Sequence, residues 1–284
     1  MSVNHYENFP VASILCPPAL RCAVKAIYHF SRTADDLADE GDASPAERTA
    51  ALMRYRAALA DAARGHTTEG PWREIFAPLS EVLRRHQLPL SLLNDLLDAF
   101  VQDVNNPRYA DRTALLDYCR RSANPIGRLM LHLAGINETG LLLQSDAICS
   151  ALQLINFWQD PSIDLPKGRL YVTESDAEKH GLRLDDLLTG GDTPSTQALL
   201  RDLCLWAADL MRQGAPLACK VPGRLGWELR LVVQGGLRIL ERISQMDYRT
   251  LRQRPVLGAS DLPVMLLRAG RMRVGAATPG FKLS

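Results

Sequence analysis

Apolar residues recur at helical spacing along almost the whole of this 284-residue chain, and this limits the fold more than any other feature. Ser44-Pro45-Ala46-Glu47 reads as a capping box with proline at the first helical position, and an Ala- and Leu-rich run follows to about Arg64. Thr193-Pro194 opens another run, with Leu199, Leu200, Leu203 and Trp206 at helical spacing. Further helices are expected over roughly 18–40, 71–85, 89–103, 112–122, 125–136, 143–162, 174–180, 222–246 and 261–272. Alternating β-branched segments joined by hairpin dipeptides are missing. Gly190-Gly191-Asp192 and Pro216 separate helices without separating regions of different composition. The pattern predicts one all-α domain over residues 1–273, with 274–284 as a flexible tail.

Composition removes several classes of function. Lys and Arg number 33 against 32 Asp and Glu, so no basic field exists to hold nucleic acid. Apolar residues make up 46%, enough for a core and too many for a disordered chain. Gln, Asp or Arg interrupts the longest apolar runs well before the ~18 residues that a membrane span needs. The opening MSVNHYENFP has no basic stretch followed by an apolar run, so a cytoplasmic protein is expected. Cys16, Cys22, Cys119, Cys149, Cys204 and Cys219 are scattered without a CxxC pair, which argues against disulfides and zinc and for small core residues.

Two short acidic stripes break the apolar pattern. In AIYHFSRTADDLADE, Tyr28, Arg32, Asp35 and Asp39 follow one another at spacings of 4, 3 and 4, sharing one helical face with Asp36 beside it. In ALQLINFWQDPSID, Gln153, Asn156 and Asp160 are spaced 3 and 4, and Asp164 follows four further on. Each stripe by itself reads first as a solvated face. Together they ask for more, because the helix around Asn156 is apolar on its other sides and Asp is rare in interiors unless paired or metal-bound. Asp is also a poor helix former, yet it occupies three of the five positions 35–39. Carboxylate and amide oxygens suit a hard cation, and Mg²⁺ commonly takes one or two carboxylates plus substrate phosphates. Two such helices facing each other across a cavity would hold a Mg²⁺–diphosphate cluster. That arrangement suits ionisation of an allylic or cyclopropylcarbinyl diphosphate between apolar walls.

At these residues the chain resembles the squalene and phytoene synthase family, the head-to-head trans-isoprenoid synthases. Tyr28, Arg32, Asp35, Asp36 and Asp39 match its first signature, and Gln153, Asn156, Asp160 and Asp164 its second. Lys167-Gly168-Arg169-Leu170-Tyr171, Tyr118-Cys119 followed by Gly127, and Tyr248 with Arg254 match further elements in the family's order. The resemblance implies an isoprenoid synthase helical bundle with a central apolar cavity. It implies metal ligation by Asp35, Asp36, Asp39, Asp160 and Asp164, with Asp36 a ligand or the partner of one. Arg32, Gln153, Arg169 and Arg254 are the expected diphosphate contacts, Arg32 also being placed to pair with a carboxylate. Tyr28, Tyr118, Tyr171 and Asn156 are the expected catalytic residues, the tyrosines either offering π faces to a cation or packing in the core.

Departures from the family pattern narrow the expectation. Related synthases carry a Ser-Lys-Ser-Phe-like element that holds a diphosphate, and Tyr6-Glu7-Asn8-Phe9 stands in its place, with Glu7 where the Lys would be. HYENFPVAS, YCRRSANPIGR and NFWQD resemble the bacterial hydroxysqualene synthase subgroup of hopanoid pathways. The reaction this resemblance implies is Mg²⁺-dependent ionisation of presqualene diphosphate, rearrangement and water capture to give hydroxysqualene, with no requirement for NADPH. Such an enzyme, a carbon–oxygen lyase, works beside a presqualene diphosphate synthase and a flavin-dependent squalene-forming enzyme. The alternatives are a prenyltransferase condensing two farnesyl diphosphates to presqualene diphosphate or squalene, a terpene cyclase, and a non-catalytic assembly factor. His5 and His132 read as structural, Phe9 and Phe157 as apolar wall or core, and Asn124 and Arg120 as features of the subgroup. Apolar substrate and product imply peripheral contact with the inner membrane, aided by Arg268, Arg271 and Arg273.

Overall fold

The computed structural model describes residues 16–66 and 70–273, and among these every regular element is helical. The first group comprises α1 (Arg21–Asp39), α2 (Pro45–Ala63), α3 (Arg73–His86), α4 (Leu90–Asp103), α5 (Arg112–Ser122) and α6 (Asn124–Leu133). The second runs α7 (Thr139–Gln159), α8 (Pro161–Asp164), α9 (Glu174–Lys179), α10 (Leu184–Thr189), α11 (Pro194–Gly214), α12 (Leu217–Lys220), α13 (Gly223–Gln245) and α14 (Asp261–Arg271). Local chemistry sets several boundaries. Ser44 and Glu47 cap each other reciprocally at the start of α2, with Pro45 at its first position. Asp111 caps α5 and Thr193 caps α11, each side chain accepting the amide three residues on.

Two apolar cores result. The first, mainly within α1–α4, centres on stacked Phe30 and Tyr55 with Phe76 angled against both, and the Tyr55 hydroxyl donates to the Phe30 carbonyl at 3.1 Å. The second surrounds α7, which is apolar on nearly all sides and therefore lies inside, packed on α11, α6 and α13. Helix α6 joins the cores, giving Leu129 to the first and Leu131 to the second. Gly127 lets α6 sit on α7, since a Cβ there would collide with Ser145 and Cys149. Asn124 fastens the same junction by accepting from the Ser150 hydroxyl at 2.9 Å. His132 bonds the His86 carbonyl at 2.9 Å, the structural role expected of it.

The differences from expectation have physical causes. The helix expected over 143–162 begins at Thr139 and stops at Gln159, because proline at 161 disfavours helical backbone at Asp160. The short helices α8, α10 and α12 are too brief to show a period in the sequence. Cys16, Cys119 and Cys204 are buried as expected and all six cysteines are free, but Cys22 is exposed. Residues 274–284, and His5, Tyr6, Glu7, Asn8 and Phe9, lie outside the described residues.

Candidate active site

Between the two cores lies a cavity of about 460 Å³, walled by α1, α4, α5, α6 and α7. Val24, Ile27, Phe100, Ile126 and Met130 form its apolar side. Tyr28, Arg32, Asp35, Asp103, Tyr118, Gln153, Arg169 and Tyr171 bring polar groups to it. A second apolar cavity of about 180 Å³, between α6, α7 and α13, shares Ile126 and Met130 with the first.

The first stripe folds as its spacing predicts. On α1, Ala23, Ile27, Phe30 and Ala34 face the core, leaving Arg32, Asp35, Asp36 and Asp39 on the open side. Arg32 donates to Asp35 at 2.8 Å and pairs with Asp36 at 2.6 Å. Its guanidinium therefore organises carboxylates in addition to facing the cavity. Burial pushes the Asp35 carboxyl up, Arg32 opposes this, and neighbouring Asp39 and Asp36 add to it. Asp39 goes the other way. Burial would raise it, but Arg169 and Lys167 together hold it below the usual carboxylate range.

The second stripe is bent. Asp160 sits at the end of α7, where its amide bonds the Asn156 carbonyl at 2.9 Å. The chain restarts at Pro161, and Asp164 closes the single turn of α8. Gly168, at φ 73°, turns the backbone so that the Arg169 amide reaches the Asp164 carbonyl at 3.0 Å. Arg169 then spans the gap to α1, its two Nη atoms lying 2.5 and 3.2 Å from Asp39. Burial raises Asp164 to about 6, reinforced by the charge of Asp160. Arg254 donates to Asp160 at 2.6 Å, so the expected diphosphate contact here holds a carboxylate. Asn156, expected to be catalytic, is exposed on α7 and is not among the residues lining either cavity.

Tyr118 and Tyr171 belong to an aromatic wall. Tyr171 stacks on Phe157 with centroids 3.6 Å apart, and Tyr118 lies 6.2 Å from both rings. Tyr28 lies on the opposite wall, edge-on to His29. Burial pushes both the Tyr118 and Tyr171 hydroxyls well up, so both are neutral donors or acceptors at neutral pH. Asp103 is a site residue that sequence spacing does not single out. It ends α4, accepts the Tyr118 hydroxyl at 2.8 Å, and is raised to about 7 by burial. A lone Asp at the end of an apolar helix forms no stripe. Its only sequence signal is its place three residues after Phe100, another lining residue.

Among the described residues, no three His, Cys, Asp or Glu side chains gather closely enough to hold an ion. The donor set is nevertheless hard oxygen, and its partly buried carboxylates Asp35, Asp103 and Asp164 are pushed toward the neutral form. Such a site suits a divalent cation held by one or two carboxylates, with phosphate and water oxygens completing its shell.

The squalene/phytoene synthase family profile matches residues 3–261. A hydroxysqualene synthase of Sinorhizobium fredii is 32% identical over 284 residues, covering 99% of this chain and 92% of that protein. One from Rhodopseudomonas palustris is 33% identical over 243 residues, covering 85% of this chain and 80% of the relative. The crystal structure of squalene synthase HpnC from Alicyclobacillus acidocaldarius superposes with a TM-score of 0.79 at 36% identity, covering 86% of this chain and 90% of that one. A dehydrosqualene synthase in complex with ligand has the same fold at 20% identity, with a TM-score of 0.72 and 88% and 85% of the two chains covered. The architecture is the expected isoprenoid synthase helical bundle.

Proposed function

The chain belongs to the squalene/phytoene synthase family, whose enzymes act on isoprenoid diphosphates, and from that premise we propose that it converts presqualene diphosphate to hydroxysqualene. The observation that carries the reading is the cavity, with carboxylates and arginines along one side and apolar and aromatic side chains along the other. The near-full-length similarity to hydroxysqualene synthases favours water capture over condensation of two farnesyl diphosphates.

In this reading Asp35, Asp39, Asp160 and Asp164, with Asp36 beside them, hold Mg²⁺ against the substrate diphosphate. Charge developing on the leaving group would be neutralised by Mg²⁺ bound there. Arg32, Arg169 and Arg254 exchange their carboxylate partners for diphosphate oxygens, as planar guanidinium forks can. Gln153 positions the diphosphate from α7. Tyr28, Tyr118 and Tyr171 turn ring faces toward the cation, where π electrons favour positive charge. The apolar walls keep bulk water away until rearrangement is complete. No NADPH is required. The substrate comes from a presqualene diphosphate synthase, and a flavin-dependent enzyme consumes the product.

Membrane contact belongs to the same reading. Among the described residues no helix is long and apolar enough to cross a membrane. The outer face of α14 nonetheless carries Leu262, Leu266 and Leu267, about half exposed, and Trp227 lies against Gly270 of the same helix. Arg271 and Arg273 are exposed at its end, matching an anionic lipid surface. Arg268, expected to help, is instead committed to Glu241 at 2.6 Å. Leu266→Glu with Leu267→Glu should cut co-sedimentation with phosphatidylglycerol vesicles about tenfold or more while leaving the melting temperature in place. Equal pelleting of the double variant would remove α14 from the membrane contact.

The deciding assay supplies Mg²⁺ with presqualene diphosphate or with farnesyl diphosphate and identifies the lipid product. Hydroxysqualene from the first and little turnover of the second is the expected result. Equal consumption of farnesyl diphosphate would make the chain a condensing prenyltransferase instead.

A further inference from the structure

The two oxygens of the Asp103 carboxylate are unequal. Oδ2 accepts the Tyr118 hydroxyl at 2.8 Å, whereas Oδ1 is buried with no hydrogen-bond partner among the described residues. Asp103 lines the large cavity, on the same wall as Tyr118 and Tyr171. A buried carboxylate oxygen with open lone pairs is costly unless something donates to it. In a cavity of this size, water is the donor at hand.

Asp164 does not line this cavity, and three other cavity and stripe carboxylates are held by basic side chains. Asp35 is held by Arg32, Asp39 by Arg169 and Lys167, and Asp160 by Arg254. The Tyr118 hydroxyl is spent on Asp103 itself. Resting on the reaction proposed above, we propose that Asp103 is the base that holds and deprotonates the water capturing the rearranged carbocation, with Tyr118 as its positioning residue.

The step balances within the site. A water lone pair forms the C–O bond to the cationic carbon, and one O–H bond breaks, leaving its electron pair on oxygen. The proton goes to Asp103 Oδ1, giving a neutral carboxyl and the alcohol, and then passes to the departed diphosphate or to solvent. A base for this task works best with a pKa near the working pH, and burial has moved Asp103 to about 7. The charged and titratable groups that bear on it are Asp35 from α1, Arg121 and Tyr118 from α5, and Tyr109, Arg169 and Tyr171 from the segments flanking α5 and α9. Arg169 and Arg121 favour its charged form and Asp35 opposes it.

The test reads product ratio, which a loss of overall rate does not move. Wild type, Asp103→Asn, Asp103→Glu and Tyr118→Phe are each given Mg²⁺ and presqualene diphosphate, and hydroxysqualene is weighed against polyenes formed by proton loss. Asp103→Asn should lower the alcohol-to-polyene ratio at least tenfold, Asp103→Glu should restore part of it, and Tyr118→Phe should shift it about threefold in the same direction. An unchanged ratio in Asp103→Asn overturns the assignment, as does one that the Glu variant fails to restore. Should Asp103→Asn not fold, Tyr118→Phe decides, an unchanged ratio again overturning the assignment. Heavy-oxygen water with the wild type keeps the underlying reaction separate: unlabelled alcohol, or none, overturns the reaction itself and this role with it.

Discussion

The two aspartate stripes have nearly the same spacing in the sequence and different geometry in the fold. On α1 the stripe is one face of an unbroken helix ending at Asp39. After α7 it is split by Pro161, so Asp160 closes one helix and Asp164 belongs to the next. The electrostatics differ as well. Asp39 is held in its charged form by Arg169 and Lys167, while burial and Asp160 raise Asp164 to about 6. Equal spacing thus produces one carboxylate neutralised by basic partners and one with a deficit of positive charge. The second is the more dependent on an added cation.

The largest expected effect asks whether both stripes are needed. Asp35→Ala and Asp160→Ala should each slow diphosphate release from presqualene diphosphate by about a hundredfold or more, and chelation with EDTA should do the same. A stripe whose loss leaves the rate within a few-fold is not part of the site, and circular dichroism shows whether the variant has kept its helices.

A smaller effect should come from the bend itself. Pro161→Ala removes the restriction on Asp160, allowing α7 to run on and carry Asp164 away from Arg169. A fall of about tenfold in release is expected, of the size that a misplaced catalytic group causes. An unchanged rate would mean that the break at residue 160 does not matter to the chemistry.

The smallest effect is one of sign, read from melting temperatures in metal-free buffer. Asp39 has a folded pKa below its unfolded value, so its contribution is present above about pH 4 and fades as pH falls through the folded value. Asp164 has a folded pKa raised to about 6, so folding favours its protonated form and stability is gained as pH falls toward 4. At pH 7.5, Asp39→Asn should lower the melting temperature and Asp164→Asn should raise it, each by about 2 °C. The Asp164 difference should shrink by pH 4, and the Asp39 difference only below it. Shifts of the same sign would erase the electrostatic contrast between the stripes.

Much of this site is legible without any knowledge of the fold. Helical spacing alone puts Arg32, Asp35, Asp36 and Asp39 on one face, and α1 keeps them there because its apolar residues claim the opposite side. The expected helix over 143–162 passes through the break at Asp160, which follows from the local effect of Pro161 on the preceding residue. Arg254 is different: sequence shows its charge without its partner and so suggests a diphosphate contact, yet it lies against a carboxylate 94 residues away. Asp103 leaves no pattern, since its importance comes from Tyr118 on the next helix and from burial against the cavity.

The sequence by itself determined the helices, their caps and the faces that carry carboxylates, because those depend on neighbours within one or two turns. Tertiary structure decided which carboxylates are paired, which are pushed toward neutrality, and where one oxygen faces a cavity without a donor. Those properties depend on burial and on charges brought together from distant parts of the chain, as Arg169 is brought to Asp39 across 130 residues.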